Sequence, residues 1–114
     1  MVNKWDICFY KLDPTQGSEQ RGIRPVLVVS NNAVNHALPV STVLPLSAIK
    51  PYDKIYPTEV TLTADITGLS KDSVAMIQQI RTVAHSRLEA PSGHLKDRKA
   101  RSAILEAIRM YFEV

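Results

Sequence analysis

A small, mostly β barrel closed by one C-terminal helix is predicted by three observations. Short apolar runs separated by polar, Pro- or Gly-bearing segments fill the first 85 residues, as in small all-β barrels. After Asp97 the apolar period changes to steps of three and four, the mark of an amphipathic helix. The chain is 114 residues long and 45% hydrophobic, which suits one domain with a core of its own, spanning residues 1–114.

The elements follow in order. Trp5–Leu12 is largely apolar and aromatic and reads as a strand, stopped at Asp13-Pro14 where proline fixes φ and restricts its predecessor. Thr15–Gly22 is a polar loop. Ile23–Ser30 contains Pro-Val-Leu-Val-Val, a continuous rather than alternating run, as expected of a strand covered on both faces. Asn31–His36 is Asn-rich and predicts a turn or a capped helical piece. Val40–Leu46 is a third strand, and Pro45, which has no N–H for a ladder, predicts an edge or a bulge there. Ser47–Thr58 is a second polar loop. Glu59–Thr63 alternates cleanly, and Ser73–Ile77 and Gln79–Ala84 complete the strands. In the final helix Ala100, Ile104, Ala107, Ile108, Tyr111 and Phe112 share one face, Arg98, Lys99, Arg101, Ser102 and Arg109 the other, and Asp97 is the N-cap.

Composition excludes several classes of function. The one Cys, Cys8, has no internal disulfide partner, which fits a reducing compartment. No apolar run approaches the roughly 20 residues that cross a bilayer, and charges within residues 1–20 break any secretory signal. The expectation is a cytoplasmic protein without membrane association. Histidines at 36, 85 and 94 form no ligand cluster with Cys8, and no phosphate-cradling glycine motif occurs, so no metal site and no cofactor are expected. The net charge of +3 permits a nucleic-acid partner without requiring one.

The segment Gly17-Ser18-Glu19-Gln20-Arg21-Gly22-Ile23-Arg24-Pro25 stands out. A polar loop delivers Arg24 to the mouth of a buried strand, and Pro25 stiffens the exit. A guanidinium held in this way is suited to paired hydrogen bonds with a phosphate; it is equally suited to an ion pair with Glu19 or Asp13 that does no more than scaffold the loop. In the second loop Lys50 and Lys54 alternate with Tyr52 and Tyr56. Basic side chains neutralise phosphates and aromatic faces stack unpaired bases, but these tyrosines also fit packing over the base of their own loop. Gln79 offers a side chain able to bond a base edge, whereas Arg81 fits a structural or dimer ion-pair network.

That segment, together with Asp6-Ile7, Leu12-Asp13-Pro14, Tyr56-Pro57-Thr58-Glu59-Val60 and Gln79-Ile80-Arg81-Thr82, resembles the signature of the MazF/PemK (Kid-like) family of toxin endoribonucleases over residues 5 to about 88. The resemblance implies an SH3-like, CcdB/MazF-like barrel, a homodimer, and metal-independent, sequence-selective cleavage of single-stranded RNA. Attack by the substrate's own 2′-OH would leave 2′,3′-cyclic phosphate and 5′-OH ends. It places catalysis on Arg24 and Ser47, with Glu19 as base, orienting group or rim residue. Ser18, Gln20, Arg21, Lys50, Tyr52, Lys54, Tyr56 and Gln79 would bind RNA. Ser47 replaces the family's threonine, keeping the hydroxyl without the methyl that restricts its rotamer, and Trp5 stands where a glycine often precedes the Asp. The family also implies a MazE-like acidic antitoxin that folds over the Arg24 loop. The alternatives are a non-enzymatic gyrase inhibitor resembling CcdB and a catalytically degenerate member that binds antitoxin alone.

Overall fold

The computed structural model describes residues 1–11 and 23–114. The strands are β1 (Asp6–Lys11), β2 (Ile23–Val28), β3 (Val40–Ala48), β4 (Glu59–Leu62), β5 (Ser73–Met76), β6 (Arg81–Ala84) and β7 (Gly93–His94). Helices are α1 (Asn32–Asn35), α2 (Ala64–Thr67) and α3 (Arg98–Phe112), with single 3-10 turns at Ile77–Gln79 and His85–Arg87. All pairings are antiparallel, in the order β4-β5-β3-β2-β1-β7, with β6 also on β3.

β3 organises the sheet. One flank pairs with β2, while the other pairs with β6 along Val40–Val43 and with β5 along Leu46–Ala48. The edge or bulge expected at Pro45 is therefore corrected: β3 is central, and Pro45 sits where its partner changes from β6 to β5. A missing N–H is tolerated there because no ladder rung on that flank uses it. The strand also runs two residues further than expected, so Ser47 is a strand residue rather than the start of a loop. Gln79, in turn, leaves the sixth strand and belongs to the 3-10 turn before it.

Alternation along the central strands separates two apolar faces. Ile7, Leu27, Leu44 and Leu46 face the larger core, which Ala100, Ile104 and Ala107 of α3 close; Cys8, Val26, Val28, Val43 and Val83 form a smaller one on the opposite face. Both caps read from the sequence are present: Asp97 Oδ1 accepts from the Ala100 N–H (2.8 Å) and Asn31 Oδ1 from the Ala33 N–H (2.7 Å). The apolar helix face stops short of the expectation. Tyr111 and Phe112 are exposed and pack edge-to-face on each other, and the contacts of α3 with the larger core end at Ile108.

Two backbone positions explain residue types that composition leaves open. Trp5 has φ +74°, the left-handed region that favours glycine, so the family's glycine before the Asp answers a backbone requirement. Here the strain, about 1–2 kcal/mol, is offset by burial of the indole among Ile7, Leu27 and Leu95 and by the Lys4 and Arg101 cations 5.2 and 5.4 Å from its ring. At Gly93 a Cβ would stand 2.8 Å from the Thr67 carbonyl oxygen, so β7 can lie against α2 only without a side chain.

Burial, reinforced by the Asp6 carboxylate, pushes the Cys8 thiol from its ordinary value near 9 up to about 11. The folded state thus holds a proton that the unfolded chain releases first. Stability from this source is complete below about pH 9 and falls as pH rises towards 11. Thermal melts over that range should show the decline, and Cys8→Ala should flatten it.

Candidate functional site

The site is set by strand register. β1 and β2 place Tyr10 opposite Arg24, and β2 and β3 pair Val26 with Pro45. Continuing the second register two residues beyond its last rung sets Arg24 opposite Ser47. Alternation then puts Tyr10, Arg24, Val26, Pro45 and Ser47 on one face, that of the smaller core. The first residues of β2 rise out of that core: Arg24 is exposed, whereas Val26 and Val28 are buried. Its cation is thus carried on a rigid strand but faces solvent. Ser47 is half-buried on β3 and pairs with Val74 of β5, which holds its hydroxyl on a strand rather than a loop.

Arg24 lines a cavity of about 300 Å³ together with Tyr10, Met76, Gln79 and Arg81. The Arg81 guanidinium carbon lies 5.4 Å from the centroid of the Tyr10 ring, the geometry of a cation held on an aromatic face. Among the described residues neither Arg24 nor Arg81 has a carboxylate within 4 Å. Two guanidinium groups with no counter-charge among the described residues, beside a glutamine and a tyrosine, have the chemistry to pair with an anion. Arg81 was assigned by the sequence to an ion-pair network. Arg81, exposed at the start of β6, lines this cavity and makes no ion pair among the described residues of its own chain.

The neighbouring glutamines divide two tasks. Gln78 accepts from the Thr58 hydroxyl (3.0 Å) and donates to Glu59 Oε2 (2.9 Å), tying the end of the 49–58 segment to the 3-10 turn. Gln79 is left to line the cavity. Within that segment the Lys50 N–H bonds Asp53 Oδ2 (2.8 Å) and the Tyr56 N–H bonds Glu59 Oε1 (3.0 Å), so both ends are ordered turns. Tyr52 is 82% exposed and Tyr56 51% exposed, with Lys54 Nζ 5.5 Å from the Tyr56 ring. Tyr52 therefore does not pack over the base of its loop. Lys50, Tyr52, Lys54 and Tyr56 line neither cavity that Arg24 borders, and neither does Ser47. Ser18, Glu19, Gln20 and Arg21 lie outside the described residues, as does Asp13.

The histidines serve the scaffold. His36 Nε2 is 2.8 Å from Asn3 Oδ1, and His85 Nε2 is 2.7 Å from the Ser41 hydroxyl. Ser41 and Asn35 are buried, and Asn35 Oδ1 accepts from the hydroxyls of both Ser41 and Ser30. The Ser41 proton is thereby committed to Asn35, so His85 donates to Ser41 rather than activating it.

A family model described as PemK-like, MazF-like toxin of type II toxin-antitoxin system matches residues 3–112. Endoribonuclease EndoA of Bacillus subtilis (strain 168) is 39% identical over 97 residues, covering 85% of this chain and 83% of that protein. Endoribonuclease MazF of Staphylococcus saprophyticus is 37% identical over 99 residues, covering 87% and 82%. The solved MazE-MazF structure (Form-II) from Deinococcus radiodurans superposes with a TM-score of 0.78 at 23% identity, over 99% of this chain and 96% of the matched one, and shares the fold.

Proposed function

Since this chain belongs to the PemK-like, MazF-like toxin family of type II toxin–antitoxin systems, we propose that it is an endoribonuclease that cleaves single-stranded RNA at the Arg24 cavity without a metal ion. The observation that carries the reading is the pair of guanidinium groups, Arg24 and Arg81, on one cavity free of described carboxylate partners. In-line attack of a 2′-OH on its adjacent phosphorus builds negative charge on the non-bridging oxygens. Fixed cations aimed at that charge are worth roughly 3–4 kcal/mol per donor by analogy with oxyanion sites. Ser47 donates a hydrogen bond to one of those oxygens. The P–O5′ bond breaks as the 2′-O–P bond forms, giving a 2′,3′-cyclic phosphate and a 5′-OH. A base takes the 2′ proton and an acid returns one to the 5′ oxygen. A guanidinium only donates and makes a poor base, so Arg24 stabilises charge, and Glu19 is the candidate for taking the proton or for orienting Arg24. Gln79 and the Lys50–Tyr56 rim hold the bases on either side.

In this reading the enzyme is a cytoplasmic homodimer silenced by a MazE-like acidic antitoxin that covers the Arg24 cavity. The endoribonuclease names of both curated relatives favour it over the gyrase-trapping alternative and over a degenerate member. Incubation with long RNA in excess EDTA, followed by end mapping, is expected to give 5′-OH and cyclic-phosphate ends at a recurring short motif. A 2′-O-methyl group at the cleaved nucleotide should abolish the cut. Absence of cleavage, or its loss on chelation alone, would overturn the reading.

A further inference from the structure

At the start of β2, Arg24 stands where the two faces of the sheet meet: Tyr10, Val26 and Pro45 line its first cavity, and Phe9 and Pro25, of the opposite alternation, line the next. Arg24 borders this second hollow, of about 570 Å³, with Ile23, Leu69 and Lys71. Gly68 and Ser92 join this one to a third, of about 950 Å³, whose walls carry Lys4, His94, Lys96 and Arg101. Among the described residues, the charged side chains along the three are Arg81, Arg24, Lys71, Lys4, Lys96 and Arg101 against one carboxylate, Asp6. Asp6 is 6% exposed and already engaged, with Oδ2 accepting the Asn3 N–H (2.8 Å) and Oδ1 lying 2.7 Å from His94 Nδ1. A further hollow shares Ile66, His94 and Lys96 with the third and carries Asp65 and Asp97, so acidic charge closes the track at Lys96.

Arg101 is the built part of this surface. Its Nε donates to the Leu95 carbonyl (2.7 Å), and a terminal nitrogen lies 3.2 Å from His94 Nε2. Because a guanidinium only donates, Nε2 is the acceptor, and the imidazole proton sits on Nδ1, where it is given to Asp6. Asp6 thus orients His94, and His94 orients Arg101, leaving three of its five N–H groups unused by these contacts. A pre-oriented guanidinium suits a phosphate. Trp5 is the one Trp, Tyr or Phe lining this third hollow, and it is buried beneath the Lys4 and Arg101 cations. Both ring nitrogens of His94 are engaged, by Asp6 and Arg101, so the polar groups this hollow leaves open are cations, which recognise the backbone of a polyanion.

We propose that this track binds the phosphates of the RNA flanking the cleaved bond, with Arg101 as its anchor and Lys4, Lys71 and Lys96 along its length. The inference rests on the endoribonuclease reading and extends it: the track adds affinity for long RNA irrespective of flanking sequence, since phosphate contacts carry no sequence information.

The test uses 2′-O-methyl RNA, which cannot be cut, as a short oligonucleotide covering only the mapped site and as a long one with flanks of two unrelated sequences. The whole protein should bind both long forms about tenfold or more tightly than the short one. In Lys4→Gln/Lys71→Gln/Lys96→Gln the long-to-short ratio should fall towards one. The salt dependence for long RNA should lose a slope of about 2, at roughly 0.7 per phosphate contact. Arg101→Gln should lower the ratio too, with a melting curve to confirm folding. An unchanged ratio in the triple variant overturns the proposal. So does a variant that keeps long-RNA affinity but loses inhibition by an acidic antitoxin peptide, which would assign the track to a polypeptide. Failure of the wild type to cut any RNA would instead remove the endoribonuclease reading, while the binding ratio still decides the track.

Discussion

Arg24→Ala should lower the single-turnover rate of RNA cleavage by about 10²–10³-fold, the loss found when one donor to a developing oxyanion is removed. The side chain is exposed at the free end of β2 and lies outside both apolar clusters, so the melting temperature should stay within a degree or two of wild type, surface changes being worth about ±0.5 kcal/mol. Arg24→Lys should recover only part of the rate, because an ammonium supplies charge without the planar fork. Arg81→Ala should fall in the same direction, since Arg81 shares the cavity and is held on Tyr10. A wild-type rate in Arg24→Ala, measured on long RNA with EDTA present, would remove this cavity as the site of chemistry.

Ile104→Ala should cost about 2–5 kcal/mol of folding stability. Ile104 is fully buried where α3 crosses the larger core, and that core joins it to Leu44 and Leu46 of β3 and to Trp5. Truncation leaves a void that two elements of different type must close, and neither a helix nor a sheet moves far without breaking its own hydrogen bonds. A shift in melting temperature on the order of 10 °C or more is expected for a domain of this size. Ser102→Ala, on the exposed face of the same helix, should leave the melt nearly unchanged and serves as the control. Equal melts for the two variants would mean that α3 is not docked as described.

What was legible in the chain was local. Continuous apolar letters in Val26–Val28 marked a strand covered on both faces, and those three residues are buried. The three- and four-residue period after Asp97 marked α3, cap included. Arg24 was legible as a candidate because a polar loop, a cation and a proline adjoin in sequence. The partner change at Pro45, the extension of β3 through Ser47 and the membership of Arg81 in the cavity were not legible. Each depends on which strand lies alongside, and no residue carries that information in its own letter.

The sequence alone therefore determined six of the strands and the C-terminal helix in their order, the Asp97 cap and the family, but not α2, β7 or the 3-10 turns; propensity, period and motif are properties of neighbours along the chain. Only the tertiary structure decided that Arg24 and Arg81, 57 positions apart in the chain, share one cavity. Only it decided that Gln78 staples while Gln79 lines the cavity, and that Asp6 reaches Arg101 through His94. Those facts follow from antiparallel register around β3 and from α3 closing over the sheet, where distant segments are brought together by burial of the apolar surface they share.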